Sequence, residues 1–102
     1  MSVASITETG SGELILSGII DFRSGPQLRE NGQKVICASQ AKDLLLDCAA
    51  VEKSSSVGIS LLLAYMRDAS AAGKTLALRG LPLDMRQIAH VSGLDDMLPI
   101  QA

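Results

Sequence analysis

The chain has 102 residues, long enough for a hydrophobic core without disulfide or metal staples, and is expected to form one domain over 1–102. A formal net charge of −2 gives no basic field for a phosphate backbone, and one Phe, one Tyr and no Trp leave little on which bases could stack. Nucleic acid is therefore not an expected partner, and the core is expected to be aliphatic.

The opening "MSVASITETG" lacks a basic segment followed by an apolar one, so no signal peptide is expected. "SVASIT" and "ELILSGI", joined by the Gly-rich "ETGSG", predict a β-hairpin. In "DFRSGPQLRENGQKVICAS" Ser24 is placed to cap a helix, Pro26 fits its first turn, and Leu28, Gly32, Val35 and Ser39 trace a narrow face. Gly32 costs about 1 kcal/mol relative to Ala there and would allow a close helix–sheet approach. "KDLLLDC" has the continuous aliphatic pattern of a central strand covered on both faces, with "CAAVEKSSS" as the loop that follows.

The spacing of Ile59, Leu62, Leu63, Met66 and Ala69 predicts an amphipathic helix over 57–72, widened by Leu61 and Tyr65 and stopped by Gly73. "KTLALRG" predicts a strand with Leu76 and Leu78 on one face. "LPLDMRQIAHVSG" predicts a last helix, with Pro82 near its start, Met85, Ile88 and Ala89 inward, and Gly93 as the stop. "LDDMLPI" is expected to add an edge strand or a final turn. The order β-β-α-β-α-β-α makes this an α/β fold, a mixed sheet with helices packed on it. Right-handed crossovers place the helices after "KDLLLDC" and "KTLALRG" on one side. The apolar stretch Ile59–Met66 falls well short of the ~20 residues needed to cross a bilayer, so no direct membrane insertion is expected.

No catalytic constellation assembles. His90 is the only histidine and can neither hold a metal nor complete a triad alone. "SVGIS" lacks the nucleophile-elbow pattern, and Asp95–Asp96 reads as solvated charge in a terminal turn. Cys37 and Cys48 match no ligand spacing, and Cys48 reads as a small core residue. The chain is expected to be no enzyme and to use no cofactor or metal. What remains is the run "VEKSSSVGISLLL". Ser56 stands where the helix begins, placed to accept from an N–H two or three residues on, a cap worth about 1 kcal/mol. A helix start also tolerates an added phosphate or a partner's carboxylate. Phe22, the only Phe, falls in a loop, where it either closes the edge of the core or anchors a partner.

The hairpin ending "LSGIID", the strand "LLLDC", the junction "SSSVGISLLL" and the following "GKTLALRGLP" resemble a STAS domain, over nearly the whole chain. The resemblance implies that the family's phosphorylatable Ser/Thr falls on Ser56 and its glycine on Gly58. Ser55 stands where the family usually shows Asp, and Val57 where it shows a small residue. "LDCAAVEKSSSVGISLLLAYMRDASAAGK" and "LRGLPLDMRQIAHVSGLDDMLP" are most similar to the STAS subunits of Mla phospholipid transporters. That likeness implies a cytoplasmic, non-catalytic subunit that binds the ATPase of an inner-membrane ABC transporter. The implied partner surface comprises Asp21, Phe22, Arg23, Lys53, Ser54, Ser55, Ser56 and Val57. The alternative is an anti-sigma-factor antagonist regulated by serine phosphorylation, which the replacement of Asp by Ser55 disfavours.

Overall fold

Leu14, Leu16 and Ile20 alternate with less buried residues along one strand, and this period of two gives the sheet a covered face and an open one. The computed structural model describes residues 4–94 and 96–101. Its elements run β1 (Ser5–Gly10), β2 (Glu13–Ile20), α1 (Gly25–Ala38), β3 (Asp43–Ser54), α2 (Ser56–Ala71), β4 (Thr75–Arg79), α3 (Leu83–Val91) and β5 (Ile100–Gln101). The strands form one five-stranded sheet in sequence order, β1 antiparallel to β2 and the remaining neighbours parallel. This is the expected α/β order, with the tail supplying an edge strand. Of the proposed opening strand, Ser2 and Val3 lie outside the described residues, as does Asp95; Asp96 is exposed in a turn.

Each crossover advances the sheet by one strand in the same direction, so right-handedness puts all three helices on one face. Leu14, Leu16, Leu44, Leu46, Cys48, Leu76 and Leu78 of that face meet Leu28, Ile36, Ile59, Leu62, Tyr65, Met85 and Ala89 of the helices in one core. Burial pushes the Cys48 thiol up to about 12, as befits a packed and unreactive cysteine.

Here the expectation of a strand covered on both faces is corrected. In β3, Leu44 and Leu46 are buried, but Leu45 and Asp47 between and beside them are only half-buried on the open side. There Leu45 sits between Glu13 and Ala77, and Arg79 reaches Asp47 at 2.9 Å and Glu13 at 3.7 Å. The Ala49 N–H and then the Arg79 guanidinium hold the Asp47 carboxyl below its usual value. A three-leucine run thus spans a sheet covered on one side only.

β3 also continues to Ser54, where a loop was expected from Cys48. Pairing with β2 carries on through Gly18–Val51, Ile19–Lys53 and Ile20–Ser54. Register shifts between Ile15 and Ser17 and between Gly18 and Ile19 interrupt the alternation, so Cys48, Val51 and Ser54 are buried at intervals of three. That spacing hid the strand.

The two longer helices lock together along a seam. Tyr65 is fully buried, and its hydroxyl donates to the Leu28 carbonyl at 2.6 Å. A side chain at Gly32 would run into the Tyr65 ring, so this glycine serves a close helix–helix approach rather than the helix–sheet approach expected of it. Arg29 grips Asp68 with two bonds of 2.6 and 3.1 Å, and Asp68 is only 9% exposed. Because this seam draws the Leu61–Tyr65–Asp68 side of α2 inward, Leu63 and Met66 end up half-buried, while Ile59, Leu62 and Ala69 are buried as expected. In α1 Ile36 takes the core place expected of Val35.

The N-terminal edge of the parallel strands is closed by polar side chains. Lys74 Nζ donates to the carbonyls of Ile36 and Ser39, both at 2.6 Å, and more weakly to that of Cys37, capping α1 with a cation. Ser39 Oγ donates to Glu8 at 2.7 Å, and Gly12 N–H joins the same carboxylate oxygen at 3.1 Å. Among the described residues no helix is long and apolar enough to cross a membrane.

Candidate functional site

At the opposite edge of the sheet, the carboxyl ends of β2 and β3 deliver two segments side by side. In open α/β sheets this is the edge where ligands and partners are met. Pairing of Ile19 with Lys53 and Ile20 with Ser54, followed by Ser55 N–H donating to the Ile20 carbonyl at 3.0 Å, joins the 21–24 loop to the serine run.

The loop is held by its own side chains. One Asp21 carboxylate oxygen accepts from the N–H groups of Arg23 (2.9 Å) and Ser24 (3.1 Å). Ser24 Oγ accepts from Asp21 N–H and donates to the Ile19 carbonyl at 2.9 Å. Ser24 therefore does not cap α1 with its side chain as expected: it is already in a helical conformation, and its hydroxyl faces the loop. Phe22 rides at the tip, 75% exposed, with the Arg23 guanidinium 5.6 Å from its ring centroid. Of the two readings of Phe22, closure of the core edge is thereby excluded.

The serine run divides its labour in an unexpected way. Ser55, extended at φ −88° and ψ −175°, is the N-cap, and its Oγ accepts from Val57 N–H at 3.2 Å. Ser56, expected to be the cap, is instead the first residue of α2 and is exposed. Ser54 is buried: its Oγ donates to the Ser55 carbonyl, and its N–H donates to Asp84 at 2.9 Å. Gly58 is required here, because a Cβ would strike Ser54 Oγ and crowd Met85 Cε.

Asp84 escaped the sequence reading. It lies in the first turn of α3 and accepts from both Ser54 N–H and Met85 N–H, tying α3 to the end of β3. An acid directly after "LPL" at a helix start was the available signal. Also missed were Pro26, Arg29 and Leu61, which with Phe22, Gly25, Val57 and Ser60 line a hollow of about 300 Å³ between the starts of α1 and α2. Phe22 and Val57 are thus brought together from the predicted set, with Val57 half-buried rather than exposed. Arg23, Lys53, Ser55 and Ser56 are exposed around them, while Asp21 and Ser54 serve the framework. His90 lies exposed in the last turn of α3, away from this corner.

The corner joins a pinned loop with an exposed aromatic ring, an apolar hollow and a row of neutral hydroxyls. A chain of the Acinetobacter MlaFEDB complex, solved in an ATP-bound conformation, superposes with a TM-score of 0.77 at 24% identity, covering 87% of this chain and 93% of its own. An anti-sigma factor antagonist from Mycobacterium paratuberculosis gives a TM-score of 0.75 at 25% identity, covering 96% and 83%. The phosphorylated Bacillus cell fate determinant SpoIIAA gives 0.66 at 18%, covering 98% and 92%. The family model described as "Mlab, STAS domain" matches residues 5–99, and on that match the chain belongs to the STAS domain family.

Proposed function

We propose that this chain is a non-catalytic accessory subunit that binds and stabilises the cytoplasmic ATPase of an inner-membrane phospholipid ABC transporter, one that maintains outer-membrane lipid asymmetry. It works on the cytoplasmic side and reaches the membrane only through its partner. The observation that carries this reading is the division of the serine run. Ser55 stands where an acid would precede a phosphoacceptor, and it is committed to capping α2, so the helix mouth is built from neutral hydroxyls beside an exposed Phe22. Such a surface suits a standing interface, in which buried aromatic and Arg side chains carry much of the energy. The match to the family model described as "Mlab, STAS domain" over residues 5–99 supports the same choice.

A second reading has one observation in its favour. Ser56 is exposed at the first position of a helix with no acidic residue in its first turn, where an added phosphate would be electrostatically welcome. That is the geometry a phospho-regulated antagonist of an anti-sigma kinase would need, and SpoIIAA shares the fold.

Affinity purification of the tagged chain from its own cells, read by mass spectrometry, separates the two. Recovery of an ABC-type ATPase with its permease supports the first. Recovery of an anti-sigma kinase without a transporter ATPase replaces it with the second.

A further inference from the structure

We propose that the hollow between the starts of α1 and α2 receives an apolar side chain of the partner ATPase, and that a carboxylate beside that side chain pairs with Arg23. This rests on the reading of the chain as an ATPase-binding subunit and names the chemistry of the segment that would dock.

Three observations carry it. The apolar lining of the hollow comes from Phe22, Gly25, Pro26, Val57 and Leu61. At about 300 Å³ it lies at the bottom of the ~300–1,000 Å³ range of ligand pockets, suited to an anchoring side chain rather than to a whole lipid. Phe22 is then held for use rather than left loose, since four hydrogen bonds among Ile19, Asp21, Arg23 and Ser24 fix the loop that bears it. Fixing the loop before contact removes part of the ordering cost that the complex would otherwise bear.

The charges at the rim differ in kind. Arg29 lines the hollow but is already paired with Asp68. Arg23, leaning over the Phe22 ring, has no carboxylate within ion-pair distance among the described residues, and Asp21 beside it uses a carboxylate oxygen to hold two backbone N–H groups. An incoming carboxylate next to an apolar anchor complements both features, and covering Phe22 would dry and strengthen that pair.

The test is calorimetric titration of the purified ATPase into the wild-type chain and into Phe22→Ala, Arg23→Glu, Arg23→Lys and, as a control on an exposed apolar side chain that does not line the hollow, Leu83→Ala. Phe22 and Arg23 are exposed, so circular dichroism and thermal melting should confirm that all variants stay folded. Phe22→Ala and Arg23→Glu should each weaken binding by roughly tenfold or more, Arg23→Lys should retain most of it, and Leu83→Ala should match wild type. Affinity should also fall with added salt, less steeply in Arg23→Glu than in wild type. Wild-type binding that all four variants share would overturn the docking proposal and leave the ATPase reading intact. Absence of any wild-type complex would overturn both. Loss in Leu83→Ala alone would move the interface to α3. Cosedimentation with phosphatidylglycerol vesicles that Phe22→Ala abolishes, with ATPase affinity unchanged, would give the hollow to lipid instead.

Discussion

The two ends of the parallel strands are finished in opposite ways. At the amino-terminal edge, Glu8, Ser39 and Lys74 turn inward on one another and on the last carbonyls of α1. At the carboxyl-terminal edge the polar framework lies underneath, in Asp21, Ser54 and Asp84, while Phe22, Arg23 and Ser56 face outward. The first arrangement uses its polar groups for closure. The second uses its hydrogen bonds to define a shape and presents what they position. The contrast implies a separation of effects: substitutions at the closed edge should cost stability and spare partner binding, and substitutions of the presented side chains should do the reverse.

The largest expected effect lies in the seam that holds both edges in register. Tyr65→Ala removes a fully buried ring from against Gly32 and should cost about 3–5 kcal/mol, enough to unfold a marginal domain. Tyr65→Phe removes only the hydroxyl bonded to Leu28 and should cost about 1 kcal/mol. Urea midpoints of the two variants measure the ring against the hydrogen bond. Equal midpoints would mean that the seam is not held by packing.

Next comes the closed edge. Lys74→Met keeps the aliphatic stem and deletes the ammonium that caps α1, for a loss of about 1.5–3 kcal/mol. Its affinity for the ATPase should equal that of wild type. A variant that lost affinity while keeping its urea midpoint would break the contrast outright.

Much of this was legible in the sequence. The order of elements, the buried faces of α2 and β4 and the position of the junction follow from apolar spacing, because helices and strands with one covered face write their period into the chain. What stayed hidden shares one cause: contacts made between segments distant in sequence. The last third of β3 was obscured because two register shifts replace its period of two by intervals of three. The seam could not be read either, since Gly32 looks like a flaw in α1 until Tyr65, thirty-three residues on, is seen to fill its place. Asp84 is likewise thirty residues from the N–H it accepts. Of the residues expected at the corner, Phe22 and Val57 are brought together, and the cap is displaced by one position, from Ser56 to Ser55, whose hydroxyl accepts from Val57 N–H.

That displacement gives a sharper test at the open edge. Ser55→Ala removes the cap and should cost about 0.5–2 kcal/mol, whereas Ser56→Ala should stay within about 0.5 kcal/mol of wild type. Ser56→Asp should also melt like wild type or slightly higher, since negative charge is favourable in a first helical turn. Against the ATPase, however, it should bind far more weakly, because a carboxylate must be desolvated on a surface that otherwise offers hydroxyls. Melting curves and calorimetry on the same three proteins decide the matter. Should Ser56→Ala prove the more destabilised of the two alanine variants, the cap belongs where the sequence first suggested.

The smallest effect is electrostatic and belongs to the closed edge. Hydrogen bonds from the Ser39 hydroxyl and then the Gly12 N–H, helped by the nearby Lys74 charge, hold the Glu8 carboxyl below its ordinary value of 4.5. A carboxyl lowered on folding contributes stability that is fully present above its unfolded value and is lost as pH falls through the folded one. Asp47 is lowered in the same sense by Ala49 N–H and Arg79, so both contribute to a loss of stability on acidification. Glu8 is well solvated, so its share is small, but its origin can be isolated. Glu8→Gln should lower the urea midpoint slightly at neutral pH and flatten its decline between about pH 5 and pH 3, with Asp47→Asn flattening the remainder. Ser56→Ala touches neither carboxylate and should decline in parallel with wild type. A Glu8→Gln profile parallel to wild type would show that Glu8, for all its bonds, does not help to close that edge, and would leave Lys74 to hold it alone.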